Sequence, residues 1–329
     1  MTRVFSGIQP TGNLHLGNYL GARRRFVDAQ HDNDSFFCIV DLHAITAPHD
    51  PAVLRARTLE TAALYLAAGL DPELCTVFVQ SHVAAHTSLA WLIECTVSFG
   101  ELRRMTQFKE KSEEQQFASA GLFTYPALMA ADILLYAADQ VPVGDDQRQH
   151  LELTRDVAQR FNSRYGETFV VPEAAIAGVA ARVMDLQKPT AKMSKSADSP
   201  QGTGLILDPP EAVDRKIKLA VTDTDTDVRF DPDIKPGVSN LLAILAACTG
   251  GDPEALASRY DRYGPLKADT AEAVTALLAP VQGRYRDLVA DPAGMARLLE
   301  LGAVKAEGVA TTTLARATQA VGLLPRPTR

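Results

Sequence analysis

Ser35-Phe36-Phe37-Cys38-Ile39-Val40 is short and almost continuously apolar. Such a run reads as a strand buried on both faces, as a parallel sheet covered by helices requires. Working outward, Val4-Phe5 and Thr76–Gln80 read as its neighbours. A helix is expected from about Tyr19 to Gln30, and another from Pro51 to Ala68, closed by Gly69. Strand, helix, strand, helix, strand makes crossover units, and the fold class is α/β. Farther along, a helix from Pro126 to about Ala138 leads to a strand at Val141–Val143. The helix Gln147–Phe161 follows, then extended runs at Thr168–Pro172 and Val183–Leu186.

Between the two halves of this pattern, residues 83–120 read as a helical insertion carrying the charged, Gln-rich stretch Lys109–Gln116. After Pro200, Asp-Pro turns punctuate Ala/Leu-rich helical segments, and a helical second domain is expected at 201–329. A length of 329 residues suits about two domains. Asp223-Thr224-Asp225-Thr226-Asp227 reads as a solvated loop rather than a metal site. The four cysteines, Cys38, Cys75, Cys95 and Cys248, have no Cys-x-x-Cys spacing and read as small core residues. No run approaches the ~18 apolar residues of a membrane span. Met1–Gly7 lacks an apolar leader, so the cytoplasm is the expected compartment. The net charge of −7 argues against bulk electrostatic coating of nucleic acid, yet allows a local basic patch that grips one folded RNA.

Two loops carry the chemistry. Gly7-Ile8-Gln9-Pro10-Thr11-Gly12-Asn13-Leu14-His15-Leu16-Gly17-Asn18 lies between a strand and a helix. Glycines let the backbone approach a phosphate, and the helix N-terminus adds unpaired N–H groups. A structural turn would use the same glycines. Lys192-Met193-Ser194-Lys195-Ser196 lies between Pro189 and Pro200. Two ammonium groups and two hydroxyls suit a triphosphate, and a mobile loop at 189–200 can close on it as pyrophosphate leaves.

Together the loops resemble the His-Ile-Gly-His and Lys-Met-Ser-Lys-Ser signatures of class I aminoacyl-tRNA synthetases. The second matches in full. The first reads His15-Leu16-Gly17-Asn18, with Asn in place of the second His, a departure familiar in the tryptophan branch. Asp41–Thr46, Gly100–Lys109, Met129–Leu134, Val141–Gln147 and Lys235–Leu241 also look like bacterial tryptophanyl-tRNA synthetases, and the likeness covers nearly the whole chain. It implies a Rossmann-like catalytic domain at 1–188 and a helical tRNA anticodon-binding domain at 201–329. It also implies ATP with Mg²⁺ on its phosphates, L-tryptophan and tRNA(Trp) as partners, a homodimer and no membrane.

By the same resemblance, Gln9, Pro10, Thr11, Gly17 and Asn18 contact ATP. Gly144, Asp145 and Asp146 hold the nucleoside, and Val183 lines the adenine site. Lys192, Met193, Ser194, Lys195 and Ser196 close on the phosphates. Lys111 is a further phosphate contact, although its charged neighbours Lys109, Glu110, Glu113 and Glu114 also suit a solvated helix. Lys192, Ser194, Lys195, Lys111 and Gln9 are the expected catalytic set. Phe5, Gly7, Val141 and Val143 wall the indole with Met129, Gln147 and Tyr125 hold the amino group, and His43 lies nearby.

Spacing adds one argument. Tyr125, Met129, Asp132 and Tyr136 fall at i, i+4, i+7 and i+11, on one helical face. A carboxylate on an apolar stripe is costly to bury without a donor, and an indole has one donor, its N–H. Asp132 is therefore the candidate that reads it; the alternative is a carboxylate satisfied by backbone or arginine. Three other readings stay open: a tyrosine-specific synthetase, a non-catalytic paralogue and a nucleotidyltransferase of the same superfamily.

Overall fold

The computed structural model describes residues 1–10, 12, 14–106, 118–144, 147–175, 183–194 and 200–324, with only the backbone of 22–26. β1 (Thr2–Ile8), β2 (Asn33–Ile39), β3 (Thr76–Val79), β4 (Gln140–Pro142) and β5 (Glu173–Ala175) form one sheet. All its pairings are parallel, in the order β3-β2-β1-β4-β5. The chain runs outward from β1 to β3, then crosses back to lay β4 on the other side of β1. That reversal opens a crevice at the carboxyl ends of β1 and β4, where ligands sit in such sheets.

Local chemistry accounts for the helices. α1 (Leu16–Ala29) begins just after His15, whose Nδ1 accepts the Asn18 N–H at 3.2 Å. α2 (Asp41–Ala44) is a single turn at the end of β2. α3 (Pro51–Ala68) has the expected bounds. Asp50 Oδ1 caps it, accepting from Ala52 N at 2.8 Å and Val53 N at 2.9 Å, and Gly69 ends it at φ 123°. The described part of the insertion holds α4 (Ala85–Glu94) and α5 (Phe99–Arg104).

The next helix departs from expectation. α6 spans Ala120–Leu135, with Pro126 inside it. Ser119 sets the start, its Oγ accepting the Leu122 N–H at 3.1 Å and donating to Thr46 O at 2.8 Å. α7 runs from Arg148 to Tyr165.

The two expected extended runs are not sheet strands. Asn162 Oδ1 accepts from Thr168 N and Phe169 N, which satisfies that backbone without a neighbouring strand. Pairing resumes only at β5. At 183–186, the Asn240 side chain takes both backbone groups of Met184, at 2.8 and 3.0 Å, and Met184 forms only an isolated bridge to Lys192.

From residue 210 the described elements are all helices: α8 (Pro210–Lys218), α9 (Pro236–Thr249), α10 (Pro253–Ala257), α11 (Tyr263–Ala290) and α12 (Pro292–Ala320). No described helix is long and apolar enough to cross a membrane. The change at 201 is one of secondary structure, while the apolar core is continuous across it. Leu16, Leu20 and Leu64 share a cluster with Val238, Leu242 and Leu278.

The acidic repeat is a cage. Lys235 Nζ lies 3.0 Å from Asp223, 3.1 Å from Asp225 and Asp227, and 3.0 Å from the Tyr263 hydroxyl. Burial disfavours the ammonium, but these partners hold its pKa above the usual lysine value. Of the cysteines, Cys38 and Cys75 are buried, Cys248 is half-buried and Cys95 is exposed, so the core reading fails for Cys95.

α12 turns back onto the sheet. Its Gly302, Ala306, Ala310 and Ala317 are buried, and a Cβ on Gly302 would lie 1.9 Å from the Val77 carbonyl oxygen. Gly308, on the same helix, faces open space. Gly302→Ala is expected to destabilise the chain by about 1–3 kcal/mol, because backbone must shift. Gly308→Ala is expected to stabilise it by up to about 1 kcal/mol through helix propensity. Denaturant midpoints check both signs, and two shifts in the same direction would refute the docking argument.

Candidate active site

A cavity of about 300 Å³ opens at the switch point. β1 supplies Phe5, Ser6 and Gly7, with Gln9 just beyond it. β4 and the turn after it supply Val141, Pro142, Val143 and Gly144. α6 contributes Leu122, Tyr125, Met129, Asp132 and Ile133. His43, Thr46, Val40 and Gln147 complete the lining. All nine residues expected to hold the amino acid are therefore brought together: Phe5, Gly7, His43, Tyr125, Met129, Asp132, Val141, Val143 and Gln147.

Asp132 is the buried charge of this cavity, 2% exposed. Its Oδ1 accepts from Gln80 Nε2 at 2.7 Å and lies 2.6 Å from His86 Nδ1; its Oδ2 lies 2.7 Å from His43 Nε2. Gln80 Oε1 accepts the Leu42 N–H, so its amide nitrogen faces the carboxylate. Burial raises the Asp132 pKa, but His43 and His86 outweigh it and hold the group below the ordinary aspartate value. Among the described residues neither backbone nor arginine satisfies it: side chains from three other segments do. A carboxylate has about four acceptor directions, so three partners leave room for one more donor.

Tyr125 bonds His150 Nε2 through its hydroxyl at 2.6 Å, and burial pushes its pKa up to about 12. The phenol thus stays protonated at neutral pH. Tyr136, the C-cap of α6, packs beneath the cavity, stacked on Phe5 and Phe36.

The two signature loops rest on one strap. Leu16 N donates to Gly204 O at 2.7 Å, and Ile206 N donates to Leu14 O at 2.9 Å. Thr203 Oγ1 donates to Ser194 O at 2.7 Å. Lys216 Nζ holds the strap, bonding Thr203 O at 2.8 Å and Asp208 Oδ2 at 2.6 Å. Gly17 backs onto Val183: a Cβ there would sit 3.4 Å from the valine Cβ. Met193 is buried among Leu14, Leu16, Val183 and Ile206, anchoring a loop whose Lys192 is exposed. Pro10 is buried and Asn18 exposed. Thr11, Lys111, Asp145, Asp146, Lys195 and Ser196 lie outside the described residues.

Residues 1–279 match the family described as tRNA synthetases class I (W and Y). The chain belongs to this family. It is 57% identical over 329 residues to tryptophan–tRNA ligase 1 of Streptomyces avermitilis, an alignment covering 98% of this chain and 99% of that one. The solved tryptophanyl-tRNA synthetase from Mycoplasma pneumoniae matches with a TM-score of 0.89 at 38% identity, over 98% of both chains. The Campylobacter jejuni enzyme, solved with ADP and tryptophan, matches at 0.87 and 35%, over 98% of this chain and all of that one (100%).

Sequence reasoning missed Gln80 and His86 in this synthetase, both of which bond Asp132. Gln80 had a usable signal, since it directly follows a buried parallel strand. His86 had none. Among basic residues of the C-terminal helical region, Arg284 Nε donates to Ala67 O at 2.8 Å and Lys267 Nζ donates to Ala220 O at 2.8 Å, while Arg259 and Arg262 are exposed.

Proposed function

We infer that the chain is a tryptophan–tRNA ligase. The observation that carries this reading is the cavity at the switch point: apolar walls around one buried carboxylate with an acceptor direction left for a single donor. An indole offers one donor on an apolar bicycle. The identity to tryptophan–tRNA ligases supports the same substrate.

The reaction has two steps. A tryptophan carboxylate oxygen attacks the α-phosphorus of ATP; the bond to the bridging oxygen breaks and pyrophosphate leaves. A ribose hydroxyl of the tRNA 3′-terminal adenosine then attacks the adenylate carbonyl, and AMP leaves. Neither step needs a covalent enzyme intermediate, so the residues position groups and offset charge. Asp132 accepts from the indole N–H, between Phe5, Met129, Val141 and Val143. Gln147 and Tyr125 hold the amino group. Gln9, Gly17, Asn18, Gly144 and Val183 hold the nucleotide, together with Thr11, Asp145 and Asp146. Lys192, Ser194, Lys195 and Ser196 meet the phosphates, with Lys111 beside them. Magnesium arrives on the triphosphate as part of the substrate.

The helices beyond 201 serve the tRNA anticodon. Two copies pair through the insertion, where Trp91 and Phe99 are 65% and 69% exposed. The cytoplasm is the working compartment.

Pyrophosphate exchange with each of the twenty amino acids tests the reading. Exchange supported by tryptophan alone is expected. Comparable exchange with tyrosine would move the chain to the tyrosine enzymes, and none with any amino acid would make it a non-catalytic relative.

A further inference from the structure

One partner of Asp132 behind the cavity is His86. It lies on α4, is fully buried, and is not part of the cavity lining. Its Nδ1 faces Asp132 Oδ1 at 2.6 Å, and its Nε2 faces the Tyr136 hydroxyl at 2.8 Å. An ionised carboxylate only accepts, so the ring proton sits on Nδ1. With the ring neutral, Nε2 then accepts and the Tyr136 hydroxyl donates. Burial, then Cys38 and Asp132, push the Tyr136 phenol far above its ordinary pKa, so it keeps its proton.

The chain of donors has one direction: Tyr136 to His86, and His86 to Asp132. Gln80 and His86 both point at Oδ1, which fills that oxygen. The remaining acceptor direction falls on Oδ2, the oxygen shared with His43. Tyr136 also stacks on Phe5, at 5.3 Å between centroids and 9° between planes. Phe5 is a wall of the same cavity. One buried tyrosine therefore braces both the wall and, through His86, the carboxylate.

We propose that His86, backed by Tyr136, is a specificity-determining positioning residue that aims Asp132 at the indole N–H. It sets the preference for an indole over a bicycle of the same shape without that donor. The proposal rests on the reading of Asp132 as the indole acceptor.

The experiment measures kcat/KM in pyrophosphate exchange for tryptophan and for β-(3-benzothienyl)alanine, where sulfur replaces the indole N–H. The readout is the ratio of the two. His86→Leu is expected to narrow it by about tenfold or more, the effect of losing one hydrogen bond to a charged group. Tyr136→Phe, a one-oxygen deletion, is expected to narrow it severalfold, and it carries the test if the leucine variant does not fold. His86→Asn, whose amide can place an N–H near the Nδ1 position, is expected to restore most of the ratio.

Equal losses for both substrates, with the ratio unchanged in both His86→Leu and Tyr136→Phe, would overturn the proposal. Asp132→Ala, which removes the acceptor altogether, separates the two levels. If it leaves the ratio intact, the indole reading fails and the proposal falls with it. If it collapses the ratio while the His86 and Tyr136 variants keep theirs, only the positioning role fails.

Discussion

Replacing Asp132 by alanine is expected to lower tryptophan-dependent pyrophosphate exchange by about 10³-fold or more, and to erode the preference for tryptophan over phenylalanine and tyrosine. A site built to hydrogen-bond one substrate group rejects an analogue lacking it by roughly 10⁴–10⁵, because its buried polar groups are left unpaired. The geometry adds a second contribution. Without the carboxylate, Gln80 Nε2, His86 Nδ1 and His43 Nε2 lose their acceptor together. An unpaired buried polar group costs about 1–3 kcal/mol. Part of the loss is then reorganisation of the empty cavity, and rate alone does not isolate the indole contact. Selectivity does, since reorganisation affects every amino acid alike. Asp132 is also held below the ordinary aspartate pKa, so its charge is complete near neutrality. Its stabilising share is present above the unfolded aspartate pKa of about 3.9 and fades as pH falls below that value. Wild-type selectivity in the alanine variant would remove Asp132 from the recognition role.

The parts of this site written in local pattern were legible, and the parts assembled from distant segments were not. The apolar run at Phe36–Ile39 announces a strand buried on both faces, and Pro51 and Gly69 punctuate α3 at its observed ends. Tyr125, Met129 and Asp132 share a face because helical spacing forces it. The same pattern does not say how deep each side chain sits: Tyr136, the C-cap of α6, lies beneath the cavity and not among its lining residues. Pro126 suggested a helix start where Ser119 supplies the real cap. His86 lies 46 residues from the carboxylate it holds and Gln80 lies 52 away, so only the sheet brings them together. The acidic repeat shows the same limit. Asp225 and Asp227 are exposed, as a solvated loop requires, but the repeat alone does not disclose the contacts that it makes with Lys235, just before α9. α12 reads as one more helix of a C-terminal bundle. Its small-residue face meets β3 only because Gly302 admits the Val77 carbonyl.

Lys192→Ala is expected to slow adenylate formation by about 10²–10³-fold, the scale of removing one transition-state electrostatic partner, with the tryptophan dissociation constant little changed. The separation follows from where the two sites are built. The residues that line the amino-acid cavity do not include Lys192. Lys192 is exposed, yet its backbone is anchored. It bridges Met184, which is bracketed by the Asn240 amide, and Met193 beside it is buried. Ser194 is tied through Thr203 to the strap that also carries Leu14 and Leu16 of the first loop. Under the proposed function, an ammonium so mounted would meet charge that develops on the phosphates as pyrophosphate departs, which would raise kcat rather than ground-state affinity. Lys195→Ala should behave in the same way by its place in the signature. Lys192→Arg keeps the charge on a longer, planar group and should recover part of the rate. Single-turnover adenylate formation and equilibrium tryptophan binding measure the two quantities separately. Matching losses in both would mean that the loop supports the fold of the pocket and takes no part in the transition state.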